Sequence, residues 1–442
     1  MSGQPTWLSV AGTHKGCPYE PPEIPKSLIL LHLPPPVETS APNMVMLKKA
    51  TRQQTKTHNS RLVLKTIYDQ DQISRAGVAR ATALSRATVS DVVTSLLEDG
   101  LVEEIGLGPS AGGKPPTLLD IVADARLLVC LDLANSHLRG GLVDLRGRIR
   151  HRLSLPLNDR DGETVLGQVY EMIDALTTAT DRPLLGIGIG TPGLMDGRRG
   201  IVRSAINMDW TDLPLRDLLQ DRYGLPVHVV NDSHAAVLAE YTFGLDDHRP
   251  NLVVIKIGRG ISAGIVLNGK LLHGDGSGAG EIGHVRMVAE GGDLCRCGHH
   301  GCLETIVSSR AFIRKAQAIA QAHPDSVLNQ LAPDPTQITT EIVLQAFLSG
   351  EPRLADLTEE AGHFLGLALA SLVSTLNVQK ILVAGTVAQF GDALLAPARE
   401  TMQHWCLAAL GAETQVELAS LGTDIVILGA AALLLSSELG IV

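Results

Sequence analysis

The chain has 442 residues, a formal net charge of −10, 45% hydrophobic and 3% aromatic residues, and 44 glycines. That length holds two or three domains with a large core, and the aliphatic, glycine-rich composition points to an α/β protein rather than an all-β sandwich. The acidic balance gives no overall attraction to nucleic acid or an anionic membrane. No apolar run is read as reaching the roughly 20 residues of a spanning helix, and the six cysteines are too few and too unevenly spaced for a disulfide scaffold, which suits a reducing cytoplasm.

Residues 1–45 are proline-rich ("EPPEIPKSLILLHLPPPVE"). Their one apolar run, Leu28 to Leu33, is too short and too far from the start for a secretory signal, so the segment reads as a disordered extension. The charge then reverses. From Met44 to Ser90 there are nine basic residues (Lys48, Lys49, Arg52, Lys56, Arg61, Lys65, Arg75, Arg80, Arg86) against Asp69 and Asp71, a local +7 inside an acidic chain. Such a single-sign block fits a polyanionic partner.

The pattern inside the block is specific. "RLVLKTIYDQ" is an amphipathic helix. "SRAGVARATAL" is a second, opened by Ser74 as cap with Arg75 beside it, and "SRATVSDVVTSLLEDG" a third, capped by Ser85 and stopped at Gly100. A short turn through Ala83 and Leu84 joins the last two, as a helix-turn-helix requires, and Arg86, Thr88 and Ser90 fall where a recognition helix meets bases and phosphates. "LVEEIGLGPSAGGKPPTLLDI" then reads as strand, glycine-rich loop and strand, a wing with Lys114 at its tip. Residues 46–122 are thus expected to form a winged helix-turn-helix that contacts DNA through Ser74, Arg75, Ser85, Arg86, Thr88, Ser90 and Lys114. The competing reading is an ordinary helical domain with a solvated basic face.

From residue 123 to 442 strands with glycine turns alternate with helices. "RLLVCLDLANSHLRGGLVDLRGRI" is a strand, tight turn and strand, and "NLVVIKIGRGISAGIVLNGKLL" repeats that form about 125 residues later. Paired hairpins of this kind open the two halves of an actin-like nucleotide-binding fold. A long apolar helix around Leu354 to Leu376 and the strand and turn "KILVAGTVAQFGD" continue the alternation.

Between the halves lies "GAGEIGHVRMVAEGGDLCRCGHHGCLET". Cys295, Cys297 and Cys302 sit on a tight glycine-containing knuckle with His284 eleven residues upstream of the first of them, a Cys3His set that satisfies zinc's tetrahedral preference. A site closed by four protein ligands lacks the open position that catalysis needs, so one structural zinc per chain is expected. His299 and His300 are rival ligands, and a redox role for the Cys-x-Cys pair is an alternative.

"GAGEIGH" followed by "CRCGHHGCLE" closely resembles the signature of the ROK (repressor/ORF/kinase) family of bacterial sugar kinases and sugar-responsive repressors, over roughly Leu127 onward. The N-terminal module is similar to that of the family's regulators. The resemblance implies an α/β, actin-like (ribonuclease H-like), two-lobed domain. It also implies a sugar pocket built from Asn207 in "SAINMDW", Asn231 and Asp232 in "VHVVNDSHAAVLAE", Glu281, His284 and Glu304, with Asp232 the general base in kinases. His284 would give one ring nitrogen to zinc and the other to a sugar hydroxyl.

The same resemblance exposes departures. The Asp-x-Gly-Gly-Thr phosphate turn of the kinases reads Asp132, Leu133, Ala134, Asn135, Ser136; the second phosphate hairpin has Arg259 and Ser262; and the adenosine-side Gly-Gly reads Ala384-Gly385. Side chains at glycine positions obstruct backbone approach to phosphate. The expectation is therefore a sugar-responsive DNA-binding regulator, a repressor of carbohydrate-metabolism genes, with no catalytic residues and an inactive kinase-like domain. Palindromic operators mirror a two-fold, so a homodimer or homotetramer is expected, with no membrane partner. The alternative is an active ATP-dependent sugar kinase with an appended DNA-binding domain, in which Asp232 is catalytic; a scaffold for a protein partner is a further one.

Overall fold

A computed structural model describes residues 51–109, 115–133, 137–157, 161–244 and 249–441. The expected N-terminal extension, Lys114 at the wing tip and the phosphate-turn residues Ala134, Asn135 and Ser136 lie outside the described residues.

Helix α1 (Arg52–Asp69) starts nine residues before the amphipathic stretch that announced it, and buries Val63, Leu64 and Ile67. Strand β1 (Ile73–Ser74) leads into α2 (Arg75–Thr82), where the Ser74 hydroxyl accepts from the Gly77 N–H. Ala83 takes a left-handed conformation (φ 56°), which turns the chain into α3 (Arg86–Glu98), whose first turn is capped by Ser85 accepting from the Thr88 N–H. Strands β2 (Val102–Leu107) and β3 (Thr117–Ile121) pair antiparallel, and β3 also pairs with β1, which closes the wing onto the helices.

Two sheets of like topology follow. In the first, β4 (Leu127–Asp132), β5 (His137–Val143) and β6 (Ile149–Pro156) form an antiparallel meander. After α4 (Gly162–Thr178), β7 (Leu184–Thr191) joins β4 in parallel. A small separate sheet, β8 (Leu194–Asp196), β9 (Ile201–Ala205) and β10 (Trp210–Leu213), and helix α5 (Leu215–Tyr223) precede β11 (Val227–Asn231), parallel to β7, and α6 (Asp232–Ala239). In the second sheet, β12 (Leu252–Ile257), β13 (Ile261–Leu267) and β14 (Lys270–Leu271) repeat the meander.

Helices α7 (Glu304–Val307), α8 (Ser309–Ala322), α9 (Val327–Leu331), α10 (Thr340–Leu348) and α11 (Pro352–Leu376) then lead to β15 (Lys380–Ala384), parallel to β12. Helices α12 (Asp392–Trp405) and α13 (Ala408–Glu413) lead to β16 (Gln415–Leu418), parallel to β15, and to α14 (Ile425–Leu434) with a further turn, Leu435–Leu439. Each half is thus a three-stranded meander extended by two parallel strands, the actin-like duplication anticipated from the two hairpins.

Helices α6 and α14 pack on each other between the halves, α14 on β4 and β7, α6 on β12 and β13. Their crossing is close because Gly429 has no side chain: a Cβ there would lie 1.8 Å from the Ala235 carbonyl oxygen. The same region corrects the reading of apolar runs. Gly422–Leu439 is 18 residues long with mean hydropathy 1.5, long and apolar enough to cross a membrane by composition, and 56% of it is buried in this fold. Alternating small residues and valine or leucine, wanted here for helix crossing and sheet packing, imitate a membrane span.

The winged helix shares a continuous apolar core with the first sheet and α14, running from Val63 and Val89 through Leu119, Leu128 and Leu145 to Ile427 and Ile441. Polar contacts reinforce it. Arg61 donates to the Ser437 carbonyl (2.9 Å) and Lys65 to that of Ile441 (3.3 Å). Arg146, in the turn between β5 and β6, donates to the Tyr68 carbonyl (2.7 Å), Asp71 (2.9 Å) and Asp120 (2.7 Å).

Candidate functional site

Strand β11 ends in Asn231, and its side chain is almost wholly committed to shaping the site. Oδ1 accepts from the Ser233 N–H (2.9 Å) and hydroxyl (2.6 Å), capping α6, while Nδ2 donates to the Gly193 carbonyl (3.0 Å). An amide has two N–H donors, so one remains for a ligand. The cap places Asp232 in the first turn of α6, where the positive end of the helix dipole favours a carboxylate.

Opposite stands a residue that sequence reasoning passed over. Lys256 on β12 donates to Asp232 Oδ2 at 2.7 Å, with the two side chains only 11% and 12% exposed. Burial works against the Lys256 charge, but the carboxylates of Asp232 and Asp132 outweigh it and hold its pKa above the ordinary lysine value. Asp132, fully buried, is in turn ion-paired with Arg139 of β5. The only advance signs were single cations in otherwise apolar strands, "NLVVIKI" and "HLRGGLV".

Asn231, Asp232, Lys256, Glu281, His284 and Glu304 line one cavity of about 420 Å³, whose wall also includes the Gly258–Ser262 turn, Arg296 and Arg310. Five of the six residues expected to bind sugar are therefore brought together. Asn207 falls in the short helical turn Ile206–Met208, and its side chain lies outside the described residues. Glu304 Oε2 accepts from the Ile261 N–H (3.3 Å), which ties α7 to the hairpin. Glu281 has surface open to the cavity, but burial of the rest of its carboxyl, with Asp232 and Glu304 beside it, raises its pKa. Gly280 lets this segment lie against β13: its φ is +95° and a Cβ would sit 1.8 Å from the Ala263 carbonyl oxygen.

One wall of the cavity is the knuckle. The donor atoms of His284, Cys295, Cys297 and Cys302 all lie within 4.8 Å of one another, a set that could hold a metal ion. His284 presents Nδ1 to Cys295 Sγ at 3.5 Å, and Cys297 and Cys302 approach to 3.7 Å between sulfurs. A tetrahedron with metal–sulfur bonds of about 2.3 Å has edges of about 3.8 Å, so the spacing fits. Of the rival ligands, His299 Nδ1 lies 3.6 Å from Cys297 Sγ without joining the four, and His300 is bonded to the Gly292 carbonyl. The His299 backbone N–H draws the Cys297 thiol down to about 6, whereas burial pushes Cys302 up to about 12.

On the helix-turn-helix, Ser85, Arg86 and Ser90 are exposed along the outward side of α3, and Thr88 is half-buried with its hydroxyl 2.9 Å from that of Ser85. Ser74 serves as a cap, and Arg75 is paired with Glu104 of the wing at 2.7 Å. Arg61 and Lys65, counted in the basic block, face the α14 region instead.

The chain is similar to known proteins over nearly its whole length. It is 30% identical over 387 residues to a xylose repressor of Caldicellulosiruptor bescii, covering 86% of this chain and 96% of the relative. A solved ROK family transcriptional regulator, described as a homologue of the Escherichia coli Mlc protein, superposes with a TM-score of 0.76 at 27% identity, covering 88% of this chain and 98% of the other. A ROK glucokinase from Streptomyces griseus, solved with glucose and AMPPNP, gives a TM-score of 0.64 at 32% identity and covers 70% of this chain and 98% of its own. The ROK family model matches residues 128–437, the two-lobed part with the cavity and the knuckle. This chain is a member of the ROK family.

Proposed function

We propose that the protein is a sugar-responsive transcriptional repressor: a winged helix-turn-helix, ending near residue 122, reads operator DNA, and a ROK domain that no longer transfers phosphate senses a carbohydrate. The observation that carries this reading is the shared core of the two modules, in which the winged helix packs on the first sheet, whose strand β11 brings Asn231 to the cavity, and on α14, which packs on α6, the helix that brings Asp232. A ligand that prefers one arrangement of the lobes would thereby bias the DNA-binding module. Loss of kinase chemistry is supported by the internal cations on Asp132 of the phosphate turn, paired with Arg139, and on Asp232 of the sugar pocket, paired with Lys256. A positioned carboxylate already neutralised by a buried ammonium is poorly placed to take a hydroxyl proton.

In this reading His284, Cys295, Cys297 and Cys302 hold one structural zinc, which fixes the His284 ring so that Nε2 faces the cavity. DNA contacts are assigned to Ser85, which caps α3, to Arg86, Thr88 and Ser90 of α3, and to Ser74, Arg75 and Lys114. A second reading, a working sugar kinase with a DNA-binding module, is favoured by the similarity to glucokinase and the intact Asp232. The test is fluorescence anisotropy on fragments of the source genome with and without a panel of sugars. Preferential binding to particular fragments, altered by a sugar, supports the repressor; sugar-independent and sequence-independent DNA binding refutes it.

A further inference from the structure

Glu281 and His284 reach the cavity on a stretch of chain whose one regular feature is the short helical turn Ile282–His284. Its geometry must therefore be held from outside. From His273 to Gly280 the chain forms a loop closed at its neck, where the Ala279 N–H donates to the His273 carbonyl (3.1 Å). The carbonyl of Gly280, the residue before Glu281, accepts from the Ala263 N–H of β13 and from the Ile282 N–H, each at 2.7 Å.

The preceding carbonyl goes to a different element. Ala279 accepts from no backbone N–H among the described residues; its partner is His234 of α6, whose Nε2 lies 3.2 Å away. A carbonyl can only accept, so the imidazole carries a proton on Nε2. His234 is 4% exposed and stands two residues after Asp232. The His273 ring, at the other side of the loop's neck, meets the same imidazole edge-on with centroids 5.5 Å apart. One side chain of α6 thus grips both sides of the neck. A polar group withdrawn from water is costly unless its partner stays in place, so the imidazole and the Ala279 carbonyl hold each other. The next positions of α6, Ala235, Ala236 and Val237, are buried and apolar, and ask only for packing.

We propose that His234 is a positioning residue of the sugar site: by holding the Ala279 carbonyl and the His273 ring, it fixes the loop so that Glu281 and His284 stand at a set spacing from Asp232. This inference rests on the sugar-sensing reading above and adds to it a residue outside the cavity's lining. The spacing matters because the hydroxyls of one ligand must meet groups from both segments at once, and a small misplacement of either weakens every bond to that ligand.

The experiment compares wild type, His234→Leu and His234→Gln as full, zinc-loaded chains. Isothermal titration with D-xylose, D-glucose and N-acetylglucosamine gives sugar affinity, and hydrogen exchange gives the protection of residues 273–284. Glutamine carries an amide N–H at the same number of bonds from the backbone as the imidazole Nε2, whereas leucine fills space without a donor. His234→Leu is expected to weaken the best-bound sugar by about tenfold, the scale of one lost hydrogen bond, and to speed exchange in 273–284 while α14 stays protected. His234→Gln should remain within about threefold of wild type. Unchanged affinity and exchange in His234→Leu overturns the proposal. Equal losses in the leucine and glutamine variants also overturn it, since a packing role gives that result, and so does faster exchange that extends to α14. Binding of none of the three sugars to wild type counts against the sugar-sensing reading, while faster exchange confined to 273–284 in His234→Leu still upholds His234 as the residue that places Glu281.

Discussion

Lys256 Nζ lies 2.7 Å from Asp232 Oδ2, an ion pair that crosses from the second sheet to the start of α6 and, in the proposed reading, occupies the carboxylate that a sugar kinase would use as its base. The expected consequence is an absence of sugar-dependent ADP release for any sugar that shifts the melting temperature. Turnover at an ordinary enzyme rate, about 1 to 1000 per second, abolished in Asp232→Asn, would show that the pair opens and that the domain is a kinase.

The pair also matters for stability. Lys256→Met leaves the Asp232 carboxylate buried with no cation, and breaking a buried pair from one side costs about 3–5 kcal/mol. Urea unfolding should register a loss of that order. Because the folded-state pKa of Lys256 is raised, its contribution is fully present below the ordinary lysine value and is lost as pH rises through the folded value. The difference between wild type and Lys256→Met should therefore be constant from pH 7 to 9 and narrow only in strong alkali.

The knuckle makes a prediction about metal. Purified protein should contain about one zinc per chain, and Cys295→Ser or prolonged chelation should leave it poorly folded, since binding energy at a closed structural site is folding energy. Elemental analysis finding no zinc in protein that melts cooperatively would refute this.

How much of this could be read beforehand depended on how local the determinants are. Ser74, Ala83 and Ser85 were legible because a cap or a turn is settled within four residues, and the Cys-x-Cys spacing announced the donor cluster for the same reason. Lys256 and Arg139 were not, because a cation in a strand has no meaning until its carboxylate is known, and Asp232 is 24 residues away on another element. Gly422–Leu439 was passed over as a long apolar run because its small residues, which permit the α6 crossing, lower its apparent hydrophobicity without making it polar.

Arg86 is exposed at the start of α3 and makes no ion pair with any described residue. Arg86→Ala should weaken operator binding. If the lost contact is to phosphate, the loss should be nearly uniform across sequences and the dependence of log K on log salt should become shallower by about one unit.

Arg146 tests the path between the modules. Its guanidinium joins the β5–β6 turn to Tyr68, Asp71 and Asp120 of the winged helix and lies 4.7 Å above the Tyr68 ring. In Arg146→Ala, calorimetric sugar affinity should change little, while the sugar-induced change in DNA affinity, about 1–3 kcal/mol for typical coupling, should shrink. Unaltered coupling would place the path elsewhere.

The bonds from Arg61 and Lys65 to residues 437–441 set an order of events during synthesis. Ile441 leaves the ribosome 376 residues after Lys65, which at roughly 5–20 residues per second is a delay on the order of 20 to 75 seconds. The N-terminal helices are translated well before residues 437–441, which complete their seat. A nascent polypeptide, or one terminated before residue 437, therefore carries those helices without the bonds from Arg61 and Lys65.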